Sequence, residues 1–123
     1  LAGLSNLKGL ALQYGYPGGV LRSLEGISPR LIELDISSAY DLASLAGIEG
    51  CTSMVKLSLR SCGFTSLQPL SGLNSLKELF VRKNWCGITS LEGFESNSLQ
   101  SLTLRKCRSL TELSGVENLS ALV

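Results

Sequence analysis

Histidine is absent from this chain, and its absence removes a wide range of chemistry. Without an imidazole there is no Ser-His-Asp or Cys-His catalysis, no HExxH zinc site and no two-Cys two-His zinc finger. Aromatic residues are few: three Phe, three Tyr and one Trp. Neither sign of charge dominates, since 11 basic and 10 acidic side chains leave +1. That balance disfavours nucleic-acid binding, which is usually carried by a basic domain. No apolar run approaches the 18 or so residues of a membrane span. A glycine-rich P-loop, a recognisable acid pair and an activated nucleophile are also missing. The sequence therefore leads us to expect no enzyme, no cofactor and no membrane partner.

What the chain does contain is leucine, 26 residues of 123, with 19 serines and 13 glycines among them. The leucines are periodic. The pattern L-x-x-L-x-L occurs at Leu7-Leu10-Leu12, Leu31-Leu34-Ile36, Met54-Leu57-Leu59, Leu76-Leu79-Val81 and Leu99-Leu102-Leu104. A sixth start, Leu119-Leu122, is cut off. Intervals between starts are 24, 23, 22, 23 and 20 residues. A second motif runs in phase with the first. It reads Leu21-Arg-Ser-Leu24-Glu-Gly26-Ile27, Leu42-Ala-Ser-Leu45-Ala-Gly47-Ile48, Ile88-Thr-Ser-Leu91-Glu-Gly93-Phe94 and Leu110-Thr-Glu-Leu113-Ser-Gly115-Val116. The third unit carries Phe64-Thr-Ser-Leu67 and an inserted Gln-Pro-Leu before Gly72-Leu73.

Spacing dictates the architecture. Two leucines one residue apart lie on one face of a strand. A unit of about 23 residues is too short for a strand, a full helix and two loops, so the return must be turns, extended chain or a single 3₁₀ turn. One unit cannot bury its leucines, whereas stacked units share a core and a parallel sheet. The repeated glycine suits a backbone bend. Domain organisation is a single array, 1–123, with five full repeats starting near 7, 31, 54, 76 and 99. Because it begins at Leu1 and breaks off inside a sixth unit, we expect a piece of a longer protein, with flanking parts of the same chain as neighbours.

These motifs resemble the leucine-rich repeat family over essentially the whole length. The short units and the Leu67-Gln-Pro-Leu70 stretch look internalin-like. Cysteine after the strand, in Leu59-Arg-Ser-Cys62 and Leu104-Arg-Lys-Cys107, resembles plant intracellular immune receptors and trypanosomatid repeat proteins. The resemblance implies an α/β solenoid, a curved right-handed superhelix with a parallel concave sheet and a mostly loop or 3₁₀ convex side. It also implies protein binding on the concave sheet, as in a sensor segment of an immune receptor or a scaffold.

The four cysteines are Cys51, Cys62, Cys86 and Cys107. Cys62 and Cys107 fall two rungs apart, about 10 Å, beyond disulfide reach. Cys62 and Cys86 are geometrically conceivable partners. No CxxC pair exists, so neither a metal site nor a disulfide is expected, and reduced cysteines suit a cytoplasmic setting.

Function is sought at the positions the repeat leaves free. Stacking them gives the columns Gly9/Glu33/Lys56/Glu78/Ser101, Ala11/Asp35/Ser58/Phe80/Thr103 and Gln13/Ser37/Arg60/Arg82/Arg105, then a strand-end column Tyr14/Ser38/Ser61/Lys83/Lys106. Arg60, Arg82 and Arg105 in register, with Lys83 and Lys106 beside them, need solvation or an acidic partner. Most acids fall on the return side: Glu25, Asp41, Glu49, Glu92, Glu95, Glu112 and Glu117. Phe80 lies mid-strand, while Tyr14, Tyr16, Tyr40 and Trp85 follow strands on the same side. Aromatic and arginine side chains are enriched at binding hot spots. The expected site is thus Arg60, Arg82, Arg105, Lys83, Lys106, Phe80, Trp85, Tyr14, Tyr16 and Tyr40. The expected partner is a protein with an acidic surface; the alternative is an anion or nucleic acid on the arginine ladder.

Overall fold

A computed structural model describes residues 8–13, 21–82, 88, 90–107, 110 and 115–122. Each repeat contributes one five-residue strand: β1 (Gly9–Gln13), β2 (Glu33–Ser37), β3 (Lys56–Arg60), β4 (Glu78–Arg82) and β5 (Ser101–Arg105). They pair in parallel in chain order, β1-β2-β3-β4-β5, as a β-solenoid of about four turns. The register is the one the columns require. Leu10, Leu34, Leu57, Leu79 and Leu102 stand opposite one another, as do Leu12, Ile36, Leu59, Val81 and Leu104.

The register has a clear physical cause. A one-residue slip would turn every leucine of a strand to the other face. Leu34, Ile36, Leu57, Leu59, Leu79 and Val81 are all buried, so slippage at any central strand would expose a core pair.

The return segments follow a period of three. From Ala39 to Met54 every third residue is buried: Ala39, Leu42, Leu45, Ile48, Cys51 and Met54. The amides of Leu42, Ile48, Cys51 and Met54 each donate to the carbonyl three residues earlier. Phe64, Leu67, Leu70, Leu73 and Leu76 repeat the arrangement, and the last three amides bond the same way. Bonds from i to i+3 satisfy backbone groups while keeping apolar side chains in one inward row. The inserted Gln68–Leu70 is a 3₁₀ turn with Pro69 in its first positions, where a fixed φ and a missing N–H do no harm.

The glycine of the return motif is required twice over at Gly47. Its φ is +104°, and a Cβ there would sit 2.6 Å from Leu24 C and Glu25 N of the preceding turn. The motif thus sets both the bend and the spacing between rungs.

Three expectations change. The only helical segments among the described residues are the 3₁₀ turns Gln68–Leu70 and Val116–Asn118, so this part of the solenoid is β rather than α/β. The described return segments run instead as turns closed by backbone bonds between residues three apart. Val116, at the place in the return motif where Ile27, Ile48 and Phe94 are buried, is 36% exposed. Leu102 and Leu104 are only half-buried. All three belong to the last rungs described, where no sixth strand among the described residues pairs with β5 to cover them.

Candidate interaction face of the sheet

One face of the sheet covers the core and the other is open. Alternation along each strand puts the three free columns on that open face. Pairing confirms the columns: Glu33, Lys56, Glu78 and Ser101 align, then Asp35, Ser58, Phe80 and Thr103, then Ser37, Arg60, Arg82 and Arg105.

Ion pairs redistribute the charge expected there. Arg60 Nη2 donates to both Asp35 oxygens, at 2.9 and 3.2 Å. Lys56 Nζ lies 3.2 Å from Glu78 Oε2. Both pairs are solvent-accessible, so each stabilises by about 0–1 kcal/mol. Their effect on the surface field is larger than their effect on stability. Arg60 is neutralised by its neighbour, and the ladder reduces to Arg82 and Arg105 among the described residues. Glu33, at the other side of the face, has no ion-pair partner among the described residues. The open face is therefore dipolar, with one acidic and one basic margin.

Arg82 stands apart from its neighbours in the ladder. The residue is half-buried, and its Nε is shielded from solvent with no hydrogen-bond partner among the described residues. Arg105 and Lys106 are exposed. Lys106 occupies a left-handed turn, φ 55°, as do Ser38 at 59° and Ser61 at 55°. The Ser38 and Ser61 amides donate to the Arg60 and Arg82 carbonyls of the next rung, at 2.9 and 2.8 Å, extending the ladder one bond past each strand. The strand-end column is thus part of the turn as well as the surface.

Phe80 is half-buried between Ser58 and Thr103, and Tyr40 is 54% exposed after β2. Lys83, Trp85, Tyr14 and Tyr16 lie outside the described residues, as does Cys86.

A hollow of about 670 Å³ occupies the middle of the open face. Ala11, Glu33, Asp35, Ser58, Phe80 and Thr103 are among the residues lining it, whereas the three arginines are not. Small side chains create it: Gly9, Ala11, Ser58, Ser101 and Thr103 stand where larger residues would fill the space. Charge pointed to the arginines of the third column, and of the expected site residues only Phe80 lines the hollow. The signal that could have found it was the concentration of small residues in the first two columns.

The described thiols turn inward or to the backbone. Cys62 Sγ and Cys107 Sγ each donate to the carbonyl two residues earlier, Arg60 and Arg105, at 3.6 Å. Their shared position after the strand therefore has one shared use. Cys51 Sγ donates to Ser28 O at 3.5 Å. Burial, and secondarily the Glu49 carboxylate, pushes the Cys51 thiol above the usual range.

On the return side, Glu25, Asp41, Glu49, Glu92, Glu95 and Glu117 are exposed, and Glu112 lies outside the described residues. A serine system underlies this side. Ser23, Ser44, Ser66 and Ser90 each accept, on Oγ, the amide two residues on. The repeated T/A/R-S-L serine was visible in the sequence, but its role as a turn acceptor was missed.

Together these features define a parallel β-solenoid with a hollow, dipolar open face and an acidic return side. No protein-family model matches the chain, and no curated protein or solved structure does so either.

Proposed function

We propose that this chain is a leucine-rich-repeat array whose open sheet face recognises another protein, without catalysis. The observation that carries the reading is the arrangement of that face: a hollow floored by small residues, bordered by Phe80, with Arg82 and Arg105 unpaired among the described residues beyond it. Recognition surfaces combine an anchoring ring, arginine and room for an incoming side chain. The phase of L-x-x-L-x-L with one strand per repeat supports the family reading. The acidic return side would steer an acidic partner away from itself and toward the arginines. A sensor or scaffold segment in the cytoplasm fits this role.

The test is a charge reversal. Arg82→Glu with Arg105→Glu should abolish capture of the partner identified by affinity purification with the full-length protein, while leaving the melting temperature within a few degrees. Capture that survives the reversal would rule out the open face. Binding of single-stranded DNA with a steep salt slope would transfer the function to anion or nucleic-acid recognition on the ladder.

A further inference from the structure

The side of the open face away from the arginines holds more carboxylate than it neutralises. Lys56 stands opposite Glu33 on β2 and opposite Glu78 on β4, and it bonds Glu78. Asp35 is matched by Arg60, which reaches it from outside the lining of the hollow. Glu33 is left with no ion-pair partner among the described residues. An empty lane lies against it. On β1 the residues opposite Glu33 and Asp35 are Gly9 and Ala11, and all four line the hollow. A Cβ placed on Gly9 would meet nothing within 4 Å.

We propose that the lane over Gly9 and Ala11 receives a lysine or arginine side chain of the partner polypeptide, whose cationic head meets Glu33 and Asp35. The inference rests on the open face being a protein-recognition surface, and it names the kind of residue that enters the hollow. A docked partner covers Glu33, and a covered carboxylate without a counter-charge is costly. A neutral side chain leaves that cost unmet. An acidic one adds repulsion from Glu33, Asp35 and Glu78, which all line the hollow. A basic one offsets it: the methylenes lie along the sheet over Gly9 and Ala11, and the head stays at the carboxylates. Glu33 and Asp35 are two residues apart on β2, so their Cα atoms lie ~7 Å apart and one head between them serves both. The acidic residues of the same partner reach the arginine margin. The face thus selects a partner that presents both signs of charge, complementary to its own two margins.

The test uses the whole chain and two short capped peptides, Gly-Ser-Arg-Ser-Gly and its Gln counterpart. The readout is NMR of the Ala11 and Glu33 backbone amides at low salt. The Arg peptide should shift both resonances saturably, while the Gln peptide should shift neither. Glu33→Gln should weaken the Arg peptide about threefold, the loss expected for one solvent-accessible pair. Gly9→Val fills the lane without altering any charge, and should remove the saturable shift at Ala11. Valine suits a strand, so the urea midpoint of that variant should not fall. Arg82→Glu with Arg105→Glu should leave the Arg peptide bound at least as tightly as in the parent. Equal shifts from the two peptides, or no shift from either, would overturn the subsite. So would undiminished binding to Gly9→Val or Glu33→Gln, or spermidine saturating the hollow more tightly than the Arg peptide. If the subsite fails while Arg82→Glu with Arg105→Glu still abolishes partner capture, the recognition face survives without it. If both results are negative, the reading of the face fails as well.

Discussion

At the scale of single residues, two positions show how much of this fold depends on a single atom or proton. Gly47 combines φ +104° with a Cβ position only 2.6 Å from the backbone of the preceding turn. Gly50, three residues on, has nothing within 4 Å of its Cβ position. Gly47→Ala should therefore cost at least ~2 kcal/mol, combining left-handed strain with displacement of a rung. Gly50→Ala should stay within about 0.5 kcal/mol of the parent, since surface changes away from such features are nearly neutral. Urea midpoints of the two variants check the contrast; equal values would mean the return turns are not in contact at Gly47. Cys51 supplies a pH-dependent counterpart. Its thiol is 1% exposed and its ionisation is displaced above the usual thiol range, by burial first and by Glu49 second. The folded chain thus holds a proton that the unfolded chain releases once pH passes the ordinary thiol range. The associated stability is complete at neutral pH and is lost as pH rises above that range. Unfolding measured at pH 7 and pH 10 should show a larger alkaline loss in the parent than in Cys51→Ala, and equal losses would discard the assignment.

At the scale of elements, the strands and their register were legible and the open face was legible only in part. A period of two in L-x-L fixes which side chains go inward, and repetition fixes which residues stand opposite. Hence the pairs Arg60–Arg82 and Arg82–Arg105 could be written down from spacing alone, and the paired register agrees. Which charges neutralise one another could not be read so, because it depends on diagonal neighbours and rotamers. Glu78 bonds Lys56, and Asp35 takes Arg60. The hollow was missed for a related reason: it is made by the smallness of Ala11, Ser58 and Thr103, and sequence reading weights what side chains carry more than the space they leave. The return side gave up its period of three but not its serine acceptors, since a hydroxyl at a turn bonds locally without altering the hydrophobic pattern. One prediction belongs to this scale. Asp35→Ala removes a pair whose side chains are 46% and 40% exposed, so stability should change by less than about 1 kcal/mol. The same substitution frees Arg60 and removes a carboxylate from the hollow. An acidic peptide should bind the Asp35→Ala sheet more tightly than the parent, by titration at low salt. Weaker binding would mean Asp35 holds Arg60 in a conformation the ligand needs.

At the scale of the whole molecule, stability is a sum of rungs and of interfaces between neighbours, so one residue type has different worth at different places. Leu57 and Leu102 occupy the same column and the same position in the repeat. Leu57 is 2% exposed, between β2 and β4, whereas Leu102 is half-buried on β5, which among the described residues has a paired strand on one side only. Leu57→Ala removes contacts to two neighbouring rungs and leaves a closed cavity, which costs about 2–5 kcal/mol. Leu102→Ala opens onto solvent that can fill the space, and should cost clearly less. The two substitutions should also differ in kind. Damage in the central rung weakens the coupling between the halves of the array, so unfolding of the Leu57→Ala chain should broaden or split. Damage at β5 leaves the other four strands coupled, and should shift the transition while leaving its shape intact. Amide hydrogen exchange reads the same gradient directly: protection should peak in β3 and fall toward β1 and β5, the two strands with a single partner among the described residues. Uniform protection across all five strands, with equal losses for Leu57→Ala and Leu102→Ala, would show that the array unfolds as one unit. In that case each rung would owe its stability to the whole sheet rather than to its immediate neighbours.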